Sequence, residues 1–345
     1  MGSIPVGNVY RKRSGKTGLF FPFSMEKEMN YIVLDLEWNQ GDSSKPSAGS
    51  PLTFEIIEIG AVKLSADRLM TGEFSELIKP QVFKTMHFMT EKIIHLKMRE
   101  LKNERPFPEV IENFLEWCGP DPVFCTWGPL DLYELQRNMD YYKIKPLSDG
   151  PFAFYDVQKL FALEYEENNK RVALETAVDM LKIEKDIPFH RAFSDAYYAA
   201  KVFSMIKRDD TLRHYSYDVF NPPKDKKSEL SLFFGNYDKY ISRTFNTKED
   251  LINDKTVKNC NCYICNSKAK KIVKFFSPTG KYFLGLSRCE THGYIKVKVR
   301  IRKSEDGRYF TVKTRKLITE NDALDIISRA ERYKKNKERI RDERR

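Results

Sequence analysis

The chain has 345 residues, 41% of them hydrophobic and 13% aromatic, with a formal net charge of +11. This composition supports a packed globular core and excludes a fibrous or wholly disordered chain. No apolar run approaches the roughly 20 residues that span a bilayer, and residues 1–30 lack the apolar segment of a leader, so we expect a cytoplasmic protein without membrane contact.

The positive charge lies at one end of the chain. Residues 256–345 contain 25 Lys and Arg against 10 Asp and Glu, whereas the preceding residues contain 35 against 39. An acidic N-terminal part joined to a basic C-terminal part favours catalysis in the first and binding of a polyanion in the second.

Hydrophobic periodicity predicts a mixed α/β domain over residues 29–208, after an N-terminal extension over 1–28. Its first three strands are adjacent in the chain and predict a meander, with a loop over 41–50. The predicted strands are 31–38, 54–64, 70–78 and 122–126, and the predicted helices are 91–96, 107–117, 130–140, 172–181 and 191–207.

Two carboxylates interrupt the apolar first strand. Asp35 and Glu37 are two residues apart, so strand alternation directs both to one side and Leu34, Leu36 and Trp38 to the other. Because burying two acids is costly without a compensating cation, the pair predicts a metal site.

Three further residues complete the candidate site. Asp131 follows the Trp127-Gly-Pro-Leu segment, although Asp140 and Asp156 are near enough to be alternatives. His190 and Asp195 share the segment that begins the last helix of the domain. Carboxylate oxygens suit Mg²⁺ or Mn²⁺, and two such ions about 4 Å apart can clamp an in-line phosphoryl displacement while a histidine accepts the proton of water. The pattern predicts hydrolysis of a nucleic-acid backbone.

The order and spacing of these residues resemble those of the DEDDh 3′→5′ exonucleases, a DnaQ-like family of the RNase H-like superfamily. Asp35-Leu-Glu37 matches the first motif, Asp131 the second, and His190-Arg-Ala-Phe-Ser-Asp195 the third. The resemblance implies an RNase H-like fold and two Mg²⁺ or Mn²⁺ ions held by Asp35, Glu37, Asp131 and Asp195. It also implies that Asp35 bridges the ions, that Asp131 lies partly behind them, and that His190 is the general base.

The segments Leu36–Gln40 and Cys125–Gly128 resemble the branch that contains sporulation-inhibitor-like proteins and exoribonucleases. The partner we expect is single-stranded RNA or DNA, and this resemblance favours RNA over DNA as the substrate. The alternative is an inert fold that serves as a nucleic-acid-binding scaffold, which the presence of all five expected groups disfavours.

Four of the six cysteines crowd into one short stretch of the rear segment. Cys262-x₂-Cys265 and Cys289-x₂-His292 flank a predicted hairpin and could supply one structural Zn²⁺ site. Cys260 could replace Cys262 as a zinc ligand. The alternative to a zinc site is a set of ordinary reduced cysteines in a small β domain.

Residues 294–303 and 308–316 predict a basic hairpin. Lys296, Lys298, Arg300 and Arg302 share one face and could bind nucleic acid, with Tyr309 and Phe310 available for stacking. A solvated edge strand is the alternative. We therefore expect a connector over 209–255, a basic zinc-ribbon-like β domain over 256–318, and a charged helix over 319–345.

Overall fold

The computed structural model of this protein describes residues 30–41, 52–167 and 169–343. The chain divides into two compact units, the first ending at Phe220 and the second beginning at Asn221. The extension predicted over 1–28 and most of the loop predicted over 41–50 lie outside the described residues. Within the described part, none of the helices has the length and apolar character that a membrane crossing requires.

The first unit contains a six-stranded mixed sheet with helices. Its strands are β1 (Tyr31–Gln40), β2 (Phe54–Leu64), β3 (Met70–Leu77), β4 (Val123–Thr126), β5 (Phe152–Asp156) and β6 (Ser216–Asp218). The strand order is β3-β2-β1-β4-β5-β6. β1 to β3 form the predicted antiparallel meander, β4 and β5 extend the sheet in parallel with β1, and β6 closes it antiparallel. The mixed α/β fold predicted from the sequence is confirmed.

The described residues of this unit form seven helices: α1 (Phe88–Ile94), α2 (Phe107–Cys118), α3 (Leu130–Tyr141), α4 (Val157–Tyr165), α5 (Leu174–Met180), α6 (Ala192–Met205) and α7 (Asp209–Leu212). Leu34 and Leu36 of β1 join Phe107 and Phe114 of α2 in a buried cluster. The alternation of β1 therefore places its leucines in the core and leaves the opposite side of the strand for its acids.

Sequence periodicity missed β5 and α4. The two elements follow each other without a loop, and Asp156 ends the strand while its side chain accepts a hydrogen bond from the Lys159 backbone as the cap of α4. Both are short and apolar, so neither the period of a strand nor that of a helix extends far enough to be recognised.

The second unit is built on an antiparallel sheet. Its strands are β7 (Leu230–Phe233), β8 (Tyr237–Ile241), β9 (Lys270–Phe276), β10 (Phe283–Cys289), β11 (Gly293–Lys303) and β12 (Tyr309–Ile318), in the order β7-β8-β12-β11-β10-β9. Both predicted hairpins are present, as β9–β10 and β11–β12. The helices are α8 (Lys248–Asn253), α9 (Lys255–Lys258) and α10 (Glu320–Asp342).

The segment expected to be a connector is largely structured. Residues 209–255 supply β6 to the first sheet and β7 and β8 to the second. These strands have three to five residues, too few for alternation to distinguish them from loop.

The β11–β12 hairpin lies between two cores, and its basic residues border the second of them. Ile295, Val297 and Val299 are at most 3% exposed and face one core, while α10 packs its Ala323 and Ile326 in a second core that includes β9 and β10 residues. Phe310 is only 2% exposed, so the expectation that its ring is available for stacking is wrong. Phe310 pairs with Arg302, so it is buried on the same face of the sheet as the cations.

Candidate functional site

Asp35 and Glu37 lie on the side of β1 that faces α6. Together with Asp195 they form a group in which one carboxylate oxygen of each residue lies within 4.8 Å of those of the others. All three side chains are partly exposed, so the group has access to solvent. Three hard oxygen donors so close together form the donor set that a divalent cation binds.

Helix α6 approaches the sheet closely because β2 has a glycine at the contact. A Cβ atom on Gly60 would lie 2.0 Å from the Phe193 backbone nitrogen and 2.4 Å from the Ala192 carbonyl oxygen. Gly60 pairs with Asp35 across the two strands. The backbone at the start of α6 therefore rests directly on β2, and this contact brings Asp195, in the first turn of the helix, towards β1.

Asp131 approaches from the first turn of α3 and is only 6% exposed. Its carboxylate accepts hydrogen bonds from its own backbone N–H and from that of Leu36, the residue between Asp35 and Glu37. The side chain is thus tied to the backbone of the strand that carries the other two acids. Asp156 instead caps α4 and pairs with Arg171 at 2.6 Å, and Asp140 is exposed near the far end of α3.

Mutual repulsion and burial dominate the electrostatics of these acids. Burial first, and then the charges of Asp131 and Asp195, raise the pKa of Asp35 well above its ordinary value. The same causes, burial and then Asp195 and Glu58, raise the pKa of Glu37 to about 8, and burial raises the pKa of Asp131 to about 7. A bound divalent cation would relieve this excess of negative charge.

His190 stands on the turn before α6, where its backbone adopts a left-handed conformation with φ of 67°. Its backbone N–H donates to the Asp195 carboxylate at 3.3 Å, and its side chain is exposed. A non-glycine residue with positive φ is uncommon and is often found at functional sites.

Sequence reasoning missed a fifth acid of the site. Glu58 of β2 pairs with Glu37 across the strands and is 1% exposed. The Arg191 guanidinium donates to both of its oxygens at 2.9 Å, from Nε and Nη2. This fork joins β2 to the residue between His190 and α6. The sequence feature that could have revealed Glu58 is a charged residue in a buried strand. Placing that residue opposite Glu37 requires the β1–β2 register, which the sequence does not specify.

The second unit contains the predicted cysteine and histidine group. Cys262, Cys265, Cys289 and His292 converge with their donor atoms within 4.8 Å of one another. The Cys262 Sγ and His292 Nδ1 atoms are 3.5 Å apart, and the Cys265 and Cys289 Sγ atoms are 3.7 Å apart. A tetrahedral zinc with bonds of about 2.3 Å to sulfur and 2.0 Å to nitrogen has edges of about 3.8 and 3.5 Å, so the spacing suits that ion. Cys260 donates instead to the Lys258 carbonyl at 3.4 Å.

Backbone N–H groups and neighbouring side chains favour thiolates in this group. Hydrogen bonds from Ser267 lower the pKa of Cys265 to about 6, and those from His292 lower the pKa of Cys289. Burial raises the pKa of Cys262, although backbone N–H groups of Cys265 and Ile264 oppose it. Thiolates already stabilised by N–H donors are suitable metal ligands.

The family model described as Exonuclease matches residues 32–203. No curated protein sequence matches the chain significantly.

Several solved structures are similar to part of it. The nuclease domain of 3'hExo, a DEDDh family member bound to rAMP, is 15% identical with a TM-score of 0.45, over 52% of this chain and 92% of that chain. Cell-death related nuclease 4 (CRN-4) is 16% identical with a TM-score of 0.43, over 55% and 66%. The zinc-bound complex of E. coli ExoI with single-stranded DNA is 15% identical with a TM-score of 0.43, over 54% and 42%.

Proposed function

We propose that this protein removes nucleotides from the 3′ end of single-stranded nucleic acid, with RNA preferred. The premise is that residues 32–203 belong to the exonuclease family and make the protein a hydrolase of phosphodiester bonds. The observation that carries the proposal is the convergence of Asp35, Glu37 and Asp195 within 4.8 Å, beside Asp131. The preference for RNA depends on the resemblance of Leu36–Gln40 to the exoribonuclease branch.

Asp35, Glu37 and Asp195 would hold two Mg²⁺ or Mn²⁺ ions, and Asp131 would help through its position beside Leu36. When bound, such ions supply Lewis-acid stabilisation of the phosphoryl oxygens and a more acidic water. The fit is supported by the raised pKa values of the acids, because repelling carboxylates ionise fully only when a cation compensates them.

His190 would accept the proton of the attacking water. Its exposed imidazole belongs to the turn whose backbone contacts Asp195, so the proton acceptor and one metal-binding carboxylate are positioned by the same few residues. Arg191 holds this turn against Glu58, and Gly60 permits α6 to approach. The function of these two residues would be to position the acids and the imidazole.

Cys262, Cys265, Cys289 and His292 would hold one structural Zn²⁺. The support is the separation of their donor atoms, 3.5–3.7 Å for the measured pairs, together with the N–H donors around the thiolates. Such a site would stabilise the unit by joining the segment before β9 to the turn between β10 and β11.

The proposal is tested by incubating the protein with single-stranded RNA labelled at the 5′ or the 3′ end, in Mg²⁺ or Mn²⁺. We expect a ladder of shortening 5′-labelled products and immediate release of the 3′ label as mononucleotide. Asp35→Asn should stop both without altering the melting temperature much, and a matched DNA strand should be degraded more slowly. Intact substrate in both metals would refute the exonuclease assignment, and equal rates on RNA and DNA would refute the preference.

A further inference from the structure

The strand β11 lies in the interior of the second sheet, between β12 and β10. Its alternate residues Ile295, Val297 and Val299 are buried, and Lys296, Lys298 and Arg300 point to the other face. Helix α10 packs on part of that face, so Lys296 and Lys298 are half-buried and Arg300 is exposed. Lysines on an edge strand are common because they prevent strand addition. Since β11 is not an edge strand, that explanation does not apply to its cations.

The positive charge on this face is compensated only in part among the described residues, where the Asp322 carboxylate of α10 lies close enough to Lys296 and Lys316 for their charges to lower its pKa. No ion pair of the described residues includes Lys296, Lys298, Arg300 or the neighbouring Lys316 of β12. Arg300 and Lys316 are exposed. Burial and then the charges of Arg300, Lys296 and Arg329 lower the pKa of Lys298. Several cations therefore repel one another on a surface where an anionic partner would compensate them.

Aromatic rings accompany the cations. The Lys298 ammonium lies 4.3 Å from the centre of the Tyr282 ring, and Arg329 donates to the Tyr282 hydroxyl at 3.2 Å. At the beginning of β11, the Arg288 guanidinium lies 5.3 Å from the centre of the Tyr294 ring. Cations interleaved with aromatic rings are the usual composition of surfaces that bind single-stranded nucleic acid.

The arrangement is a row rather than a pocket. Same-face residues of a strand are about 7 Å apart, so three consecutive cations follow a straight line. A compact anion could touch only one or two of them, whereas an extended chain of regularly spaced charges could touch all three.

We propose that the cationic row of Lys296, Lys298 and Arg300 binds the phosphate backbone of an extended single strand of nucleic acid. That this strand is the enzyme's own substrate depends on the proposed exonuclease function, but the binding itself does not. The row would hold the strand by its backbone, without sequence preference.

The test measures binding in the full chain carrying Asp35→Asn, with a fluorescently labelled oligouridylate and no added Mg²⁺ or Mn²⁺. Affinity is followed over a range of NaCl concentrations for the triple variant Lys296→Gln, Lys298→Gln, Arg300→Gln. The matched control, Lys270→Gln, Lys271→Gln, Lys274→Gln, removes three charges from β9 of the same sheet. Equal zinc content and melting temperature confirm that both variants are folded.

We expect the triple variant to bind at least tenfold more weakly, and the slope of log affinity against log salt to become shallower by about 2, since each lost single-strand phosphate contact contributes about 0.7. The exposed single variant Arg300→Gln should change the slope by about 0.7, and the β9 control should bind like the parent protein. The inference is overturned if the triple variant keeps the parent's slope, if the β9 control weakens equally, or if anionic phospholipid vesicles are bound while the oligouridylate is not. Because the readout is binding, loss of the exonuclease proposal and loss of this inference are separate outcomes.

Discussion

The fork between Arg191 and Glu58 gives the sharpest prediction for the first unit. The Glu58 side chain is 2% exposed, whereas that of Arg191 is 38% exposed. Removing one partner of a fully buried pair costs about 3–5 kcal/mol, because the other charge remains buried and unpaired. Since water reaches the guanidinium, we expect Arg191→Met to cost roughly half of this, about 2 kcal/mol. For a unit of this size that corresponds to a fall in melting temperature of about 4–8 °C.

The reverse change should be milder. Glu58→Gln leaves Arg191 able to turn into solvent and also removes a negative charge beside Glu37, so we expect it to cost about 1 kcal/mol or less. Adding Arg191→Met to Glu58→Gln should then cost little more, because no buried carboxylate remains. Thermal unfolding of the two single variants and the double variant gives the coupling energy.

Turnover provides a second readout of the same fork. Displacement of the turn that carries His190 should lower kcat by about 10–100-fold with a smaller change in KM, since a shift of about 1 Å has effects of this order. Arg191→Lys should recover part of the loss. The matched control is Arg208→Met, which breaks an exposed ion pair with Asp210 and should leave both stability and kcat unchanged. If Arg191→Met behaves like this control, or if the double variant is as unstable as the sum of the single variants, the positioning role is wrong.

Three further predictions concern pH, packing and metal. Folding raises the pKa of Glu37 from 4.5 to about 8, so folded protein without added Mg²⁺ or Mn²⁺ retains a proton that the unfolded chain releases. Its melting temperature should therefore fall between about pH 4.5 and 8, and added Mg²⁺ should raise the melting temperature more at pH 8 than at pH 5. A melting temperature that does not change with pH would contradict the shift. Gly60→Ala places a Cβ 2.0 Å from the backbone of α6, so it should lower the free energy of unfolding by at least about 3 kcal/mol and remove most of the exonuclease activity. Gly72→Ala is the control: its Cβ would have its nearest contact at 3.6 Å, so stability and activity should both be retained. Elemental analysis should find about one zinc per chain, lost in Cys262→Ser and kept in Cys260→Ser. The opposite pattern would exchange Cys260 and Cys262 as ligands.

The parts of the site that the sequence predicted are those determined by local periodicity. Asp35 and Glu37 share a face because a strand alternates, and the core position of Leu34 and Leu36 follows from the same rule. Asp195 could be placed because the alanines of α6 indicate close packing on a sheet, and the structure adds that Gly60 receives this helix.

The parts that could not be predicted depend on pairing between distant segments. The position of Glu58 opposite Glu37 requires the register of β1 on β2, which includes a bulge between Glu37 and Trp38. The burial of Phe310 and the interior position of β11 depend on which strands flank the hairpin, and β8, which pairs with β12, comes from a segment that resembled a connector. Pairing energies of this kind are spread over many residues and leave no local pattern.

His292 is followed directly by Gly293, the first residue of β11, so the cysteine and histidine group is an anchor for the strand that carries Lys296, Lys298 and Arg300. Oxidation of the thiolates or competition by a strong chelator would release this end of the strand from the group. If both the zinc site and the cationic row are as proposed, removal of the metal should weaken binding of a polyanion to β11 without any change at the acids of the first unit.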